Sequence, residues 1–495
     1  MRDNHLNVVD VVILGAGFGG LGMGAQLKIA GLDNFVIVER AARIGGVWRD
    51  NAYPGAACDT ESHLYCYNFH PHLRVSKMYA GRDELLAYMD SLVERYRLAP
   101  HLRLSSELVS ATWNENDHLW DFELAGGAVL RARFFVPAWG QLNEPLIPPF
   151  KGLEKFAGSA FHSAAWVEGV GLEGKRVASI GAAASAVQYV PEVAKVAAHL
   201  TVFQRSANWI MPRNQSAYDD AQLDAFSADP ALFEKSRQHL HAFREAGFQR
   251  TRHGSDAQRE GMVLAQAHLA RQVTDPALRA KLTPDYEFAC KRILRSDDYY
   301  PALSRENVRL ETSAPQEFTA HGIRTADGVL HRFDVVIFGT GFASQAFQGK
   351  LEVRGVDGDN LRQRWADGAE AYLGMTVPGF PNMFLIYGPN TNLNHNSIIT
   401  MLEIQQRYIV QALRHVLPLR GVAVDVDADV CADFNQTLQA NMKTSAFSQD
   451  CSSWYKNAAG KVINNWSGTV DEYLALAEHW RAADFAVLPA AEARS

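Results

Sequence analysis

Two short stretches of this chain have the residue types and spacing to hold nucleotides. Gly15-Ala16-Gly17-Phe18-Gly19-Gly20 carries three glycines in dinucleotide-loop order. Gly15 suits the tight turn, Gly17 the close approach of backbone to pyrophosphate, and Gly20 close helix–strand packing. Glu39, 19 residues past Gly20, can accept from a ribose 2′-OH. Gly181-Ala182-Ala183-Ala184-Ser185-Ala186 is a second, imperfect version, because Ala183 holds the middle glycine position and its methyl crowds the pyrophosphate. Its acid is replaced by Gln204-Arg205-Ser206. A carboxylate would repel a 2′-phosphate, whereas a guanidinium pairs with it, so this unit favours NADP(H) over NAD(H).

The elements that must position these residues are legible around them. Val8–Leu14 is a short, β-branched, apolar run of the kind found in buried parallel strands. A helix to about Ala30 and a strand Phe35–Val38 follow. Around the second loop the pattern repeats, with a strand Arg176–Ile180, a helix, and a strand Leu200–Ser206. The expected fold is α/β, with two Rossmann-like dinucleotide-binding domains and a helical insertion in the second. The insertion is read at 217–290, where Ala, Leu, Gln, Arg and Glu dominate. Domain boundaries are expected at 1–148 for the first part of an FAD-binding domain, 149–349 for the NADP-binding domain, and 350–495 for the remainder of the FAD-binding domain. The proline-rich Glu144–Pro149 reads as the crossing between the first two. Gly45–Asp59 is a Gly-rich loop laid over a ligand, 82–98 an amphipathic helix, and 101–138 a run of strands. Asp334–Phe338 and Met383–Ile386 read as further strands, the latter feeding a turn Gly388–Asn392 that offers the first cofactor a second face, before a helix from about Ile398.

Composition narrows the function classes. The chain has 495 residues, 47% hydrophobic and 21% charged, enough for a large core. A net charge of −7 argues against nucleic acid or a polybasic membrane role. The five cysteines are few, odd in number and without C-x-x-C spacing, which fits a reducing, cytoplasmic setting and no metal. No apolar run approaches the roughly 18 residues of a membrane span, and no signal peptide is recognised.

One nucleotide unit with a ribose acid and one with an arginine suggest FAD in the first and NADPH in the second, with hydride passing between them. A disulfide reductase would need a close cysteine pair at the flavin, and Cys58 and Cys66 are eight residues apart in a loop. Oxygen remains as the electron acceptor, and here the chain resembles a known family. Phe156 to Trp166 matches F-x-G-x-x-x-H-x-x-x-W, with Gly158 and His162 in place, the signature of type I Baeyer–Villiger monooxygenases. Gly45–Asp59 fits that family's G-G-x-W-x-x-x-x-Y-P-G-x-x-x-D pattern, Lys291-Arg292 with Asp298-Tyr299-Tyr300 resembles its catalytic arginine segment, and Ser453-Trp454-Tyr455 with Gly460-Lys461 resembles its mobile substrate loop, expected at about 445–465. Three positions depart from the pattern: Val167 after the signature Trp, Ala183, and Asn394 where a small residue is expected.

The resemblance implies an FAD- and NADPH-dependent enzyme that inserts one oxygen atom of O₂ into a ketone, through a C4a-peroxyflavin, to give an ester or lactone. Arg292 would be the catalytic cation stabilising negative oxygen, and Asp59 would pair with it and orient it. Gly15, Gly17, Phe18, Gly20, Glu39, Arg40, Val47, Trp48, Asp59, Tyr65, Val109 and Gln141 would line the flavin. Gly181, Ala182, Ala184, Ser185, Ala186, Arg205, Ser206 and Lys291 would face NADP(H), Arg292 would stand over the flavin, and Trp454 would close over the nicotinamide. His162 and Trp166 would couple domain movement rather than transfer protons. Gly388–Ser397 most resembles members acting on aryl ketones, steroids and long-chain ketones. The partners implied are the ketone and O₂, in a monomer or small homo-oligomer. A flavin-dependent N- or S-oxygenase is the enzymatic alternative; that class typically lacks the Lys291-Arg292 pair and the Trp166 ending. A flavin-binding module that no longer turns over is the other, motivated by Ala183.

Overall fold

The computed structural model of the protein describes residues 8–451 and 453–488. In chain order its elements begin with β1 (Val8–Leu14), α1 (Phe18–Ala30), β2 (Phe35–Val38), α2 (Val47–Asp50), α3 (Arg82–Arg95), β3 (Leu102–Arg103), β4 (Leu108–Asn114), β5 (Leu119–Leu124) and β6 (Val129–Pro137). Next come β7 (Ser159–His162), β8 (Arg176–Ile180), α4 (Ala184–Val196), β9 (His199–Phe203), β10 (Ile210–Met211) and helices α5 (Asp220–Ala228), α6 (Pro230–Ala246), α7 (Asp256–Gln272) and α8 (Pro276–Leu282). The chain returns through β11 (Leu294–Arg295), α9 (Tyr299–Leu303), β12 (Val308–Glu311), β13 (Pro315–Thr319), β14 (Gly322–Thr325), β15 (Leu330–Arg332) and β16 (Val335–Phe338). It closes with β17 (Glu352–Arg354), α10 (Leu361–Arg364), α11 (Ile398–Val416), β18 (Ala423–Val426), α12 (Ala428–Met442), α13 (Val470–Ala477) and β19 (Phe485–Leu488).

Two sheets carry the nucleotide loops. One has the order β17-β4-β5-β6-β1-β2-β3, with β1 parallel to both β2 and β6; the other has the order β12-β9-β8-β16-β7 and is parallel throughout. Central strands buried on both faces account for the unbroken apolar runs of β1 and β8. Helix α1 holds Gly19, Gly20, Gly22 and Gly24, a composition that costs a free helix roughly 3–4 kcal/mol against alanine. Packing offsets it: a Cβ on Gly22 would lie 2.2 Å from the Tyr67 hydroxyl and 2.5 Å from the Gln406 amide. The glycines thus let α1 settle against α11 and the Tyr67 segment.

Met383–Ile386 differs from expectation, since only Met383 makes a bridge, parallel to Phe135. The segment lies along the end of β6 that β5 leaves free, exchanging Phe135 N–H to Asn382 O, Phe384 N–H to Phe135 O and Ile386 N–H to Pro137 O. A second bridge would need an N–H from residue 137, which is proline, so the apolar run reads as a strand but the ladder ends after one bridge. Strand β9 also stops at Phe203 rather than continuing to Ser206.

The expected helical insertion is α5–α8, and it folds back onto the first unit. Arg237 donates to the His63 and Cys66 carbonyls, and Arg244 pairs with Glu61 at 2.7 Å. The cysteines also depart from their reading as reduced thiols: Cys290 and Cys451 are joined, while Cys58, Cys66 and Cys431 are free and buried. A pair 161 residues apart leaves no spacing signal. Among the described residues, no helix is long and apolar enough to cross a membrane.

Candidate functional site

Both nucleotide loops are built alike. Gly15 has φ +101°, and a Cβ there would lie 2.6 Å from the Ala138 carbonyl oxygen; Gly181 has φ +112°, and its Cβ would lie 2.2 Å from the Gly339 oxygen. Only glycine fits a turn that is both left-handed and pressed against the next parallel strand. Among the described helices of thirteen or more residues, α1 and α4 alone start with neither a side-chain cap nor an acid in the first turn. Their first N–H groups and dipoles are left for an anion, as a pyrophosphate requires.

In the first unit Glu39 accepts from the Ala16 amide at 3.0 Å, the Ala41 amide at 2.9 Å and Arg49 at 3.2 Å. It braces the loop, and an ionised carboxylate with about four acceptor directions keeps room for a ribose hydroxyl. Arg40 is exposed at the tip of β2, and Val109, also exposed, follows Ser106, whose amide donates to the Glu39 carbonyl. Phe18 packs edge-on to Tyr65, whose hydroxyl accepts from the Trp48 indole at 3.2 Å. Gln141 is buried, donating to the Tyr387 and Gly388 carbonyls and accepting from Asn464.

In the second unit Ala183 has φ −94° and ψ −157°, matching Gly17 at −87° and −166°. That extended backbone suits any residue, so the methyl adds bulk without strain. The Ala182 carbonyl accepts from Asn208, Ala184 and Ser185 open α4, and Ala186 is buried. Gln204 turns inward to the Lys281 carbonyl, leaving Arg205 exposed just past β9. Lys291 donates to Ser206 Oγ at 3.1 Å, and burial together with the charge of Arg205 lowers its pKa. Two cations and a hydroxyl thus converge at this strand end.

Residues 45–59 join the two units. The Gly45 amide donates to Ala16 O, and α2 carries Val47 and Trp48 on toward Tyr53, whose hydroxyl donates to Gln188 on α4 at 3.0 Å. The loop ends at Asp59, which accepts from Arg292 at 2.5 Å across 233 residues. The two consecutive cations therefore serve different ends, Lys291 the strand tip and Arg292 the junction. Asp59's charge outweighs burial and raises the Arg292 pKa further. Burial works against the Asp59 carboxylate, but Arg292 first, then Arg244 and Arg295, hold it below the usual range. The pair is charged at any working pH.

Sequence reasoning named Tyr455 only as part of a loop and did not name Tyr387, so it missed that the two form a wall facing this pair. Tyr455 and Tyr387 lie within electrostatic reach of Arg292. Tyr455, fully buried, donates to Asn394 Oδ1 at 2.5 Å, and Tyr387 donates to Asn392 Oδ1 at 2.7 Å. Trp454 is half-buried against Tyr455, with ring centres 4.6 Å apart. The position of Tyr455 beside Trp454 was the available signal; nothing local marked Tyr387. Buried N–H donors without a protein partner lie at Asn394 Nδ2, the residue that accepts from Tyr455, and at Trp139 Nε1, just past β6. Such donors fit a flavin, whose ring edge offers oxygen and nitrogen acceptors.

His162 accepts from the Ala164 amide through Nδ1 and donates from Nε2 to the Gly341 carbonyl at 3.0 Å; burial lowers its pKa. That carbonyl also accepts from the Leu146 amide in the proline-rich crossing. Trp166 packs edge-on to Phe161, while Val167, 48% exposed, projects to solvent and does not disturb the junction.

The profile of the family described as Pyridine nucleotide-disulphide oxidoreductase matches residues 12–220. A Baeyer–Villiger monooxygenase of Streptomyces coelicolor is 38% identical over 491 residues, covering 98% of this chain and 94% of that one. A closed crystal structure of cyclohexanone monooxygenase superposes with TM-score 0.87 at 29% identity, covering 98% of this chain and 99% of that one. OTEMO in complex with FAD and NADP does so with TM-score 0.88 at 26% identity, covering 97% and 99%. With its two nucleotide loops, its bridging loop and this full-length similarity, the chain belongs to the Baeyer–Villiger monooxygenases, flavoenzymes that use FAD and NADPH.

Proposed function

We propose that Arg292, held by Asp59, is the charge that directs oxygen insertion into a ketone, giving an ester or lactone. The observation that carries this reading is the 2.5 Å Arg292–Asp59 pair, placed where the bridging loop, the Lys291-Arg292 segment and the Tyr387/Tyr455 wall meet. When bound, FAD supplies the activation of O₂ and NADPH the hydride. The chain's own residues bind, orient and neutralise. The free N–H groups of α1, with Gly15, Gly17, Gly20 and Glu39, hold the FAD pyrophosphate and ribose; Phe18, Arg40, Val47, Trp48, Tyr65, Val109 and Gln141 line the rest of the flavin. The start of α4, from Gly181 to Ala186, takes the NADP(H) pyrophosphate, and Arg205, Ser206 and Lys291 take the 2′-phosphate. Arg292 offers a guanidinium that stays protonated at any working pH, so negative charge arising on oxygen meets a fixed cation. Asp59 sets the direction of that guanidinium. Trp454 and Tyr455 close the site from the 445–465 segment and keep water out.

The test is NADPH consumption and product identification across a panel of ketones with the purified, flavin-loaded protein. Ester or lactone formed in step with NADPH is expected. Oxides of amines or sulfides, with no ester from any ketone, would replace this reading with heteroatom oxygenation.

A further inference from the structure

The bond between Cys290 and Cys451 joins two segments that the proposed chemistry uses. Cys290 directly precedes Lys291-Arg292, and Cys451 lies in the 445–465 segment, five residues before Lys456. Their Cα atoms are 6.4 Å apart, within the span a disulfide bridges. Cys290 sits on a rigid base: it is fully buried, and its neighbour Ala289, at φ +67°, is buried in a cluster with Trp209, Phe288 and Ala446. Cys451 is half-buried, so reagents reach its sulfur first.

Among the described residues between Asp450 and Lys456 the other polar ties are few, while the flanks of the segment are fixed: Ala446, Phe447, Val462 and Ile463 are buried, and Asn457 donates to the Asp367 carbonyl at 2.9 Å. Tyr455 donates to Asn394, Gln345 to the Lys456 carbonyl at 2.6 Å, and Ser344 to the Trp454 carbonyl at 3.5 Å. Lys456 only closes the segment on itself, donating to the Gln449 carbonyl. A few hydrogen bonds, each contributing about 1 kcal/mol net, open readily; a covalent bond does not.

We infer that Cys290 and Cys451 form an oxidative modification site that tethers the closing segment to the arginine segment, with hydrogen peroxide as oxidant and a dithiol as reductant. In the forward direction the Cys451 thiolate attacks one peroxide oxygen and breaks the O–O bond, giving a sulfenic acid and a hydroxide that takes up the thiol's proton to leave as water. The Cys290 thiol then attacks that sulfur, forming the S–S bond and releasing a second water. Two thiols are oxidised by two electrons in all, and one peroxide is reduced to two waters. A dithiol reverses the pairing, leaving both thiols free and itself becoming a disulfide. The tethered form holds Tyr455 against Asn394; the dithiol form frees the stretch around Trp454, between its buried flanks, to move for nucleotide exchange. This depends on the reading of 445–465 as the closing segment.

The experiment uses the full-length, flavin-loaded protein, reduced with dithiothreitol, freed of reductant, and treated with hydrogen peroxide. Labelling of thiols after denaturation should count five cysteines before oxidation and three after, Cys58, Cys66 and Cys431 remaining free. Limited proteolysis of the native protein should cut within 446–460 about tenfold more slowly in the oxidised form. Cys451→Ser should be cut at the reduced-form rate under either treatment; it alters the half-buried partner, so the test survives if Cys290→Ser fails to fold. Five labels after oxidation, or equal cutting of both forms, would overturn the proposal. Neither readout needs turnover, so a protein that passes both yet makes no ester would refute the ketone reading and leave the tether standing.

Discussion

Replacing Arg292 by alanine should separate two half-reactions that the wild-type protein couples. Side-chain exposure is 35% for Arg292 and 29% for Asp59, so the pair is partly buried and its loss should cost about 1.5–3 kcal/mol of stability, the worth of one charged hydrogen bond. Asp59 keeps Arg244 and Arg295 as further neighbours of opposite charge, which limits the damage in the folded state. Oxygen insertion is more sensitive, because the cation is needed where negative charge develops. Loss of one preorganised contact of this kind typically lowers the rate about 10²–10³-fold, or roughly 3–4 kcal/mol of barrier. Flavin reduction needs only the nicotinamide held against the ring, so it should slow far less. Asp59→Ala leaves the guanidinium in place but lets it wander, and about a tenfold loss is expected. Because Asp59 acts through Arg292, the double variant should be hardly worse than Arg292→Ala alone. Anaerobic stopped-flow follows flavin reduction by NADPH, and gas chromatography follows ester from one ketone. Near-wild-type ester formation by Arg292→Ala would refute the role given to the cation. Additive losses in the double variant would refute the positioning role of Asp59.

Arg205→Ala should raise the NADPH KM about tenfold or more and leave NADH nearly unaffected, since only the 2′-phosphate loses a partner; equal losses for both nucleotides would count against that contact. Ala183→Gly should tighten NADP(H) binding a few-fold without changing flavin content, because the methyl adds bulk to a backbone already shaped like that of Gly17. Titration of the two forms checks this, and identical affinities would show the methyl to be harmless. Glu245 is predicted to make stability depend on pH: burial opposes its charge, but hydrogen bonds from His395, Asn396 and the Asp471 amide hold its pKa down to about 2. A carboxylate depressed on folding contributes fully above its unfolded value near 4.5 and loses that contribution as pH falls toward 2. Glu245→Gln should therefore lower Tm most near neutral pH, with the gap to wild type narrowing below pH 4.5; a constant gap across that range would exclude this linkage.

The parts of this protein that could be read from sequence are those governed by neighbours along the chain. The strand–glycine loop–helix pattern at Val8–Ala30 and Arg176–Val196 is local, because backbone conformation and strand burial dictate which residues fit. The same holds for the helical character of 220–282. Arg292 and Asp59 stood out only through resemblance to a family, since no periodicity links residues 233 positions apart. Tertiary structure alone decided the rest. It laid α6 on the Glu61–Cys66 segment through Arg237 and Arg244, brought Tyr387 and Tyr455 to Arg292, and joined Cys290 to Cys451. It also left Met383–Ile386 short of a strand, because Pro137 of β6 has no N–H with which to continue the ladder beyond Met383. Such contacts arise from how whole elements pack, and packing depends on surfaces that distant segments build together, so no window of sequence contains them.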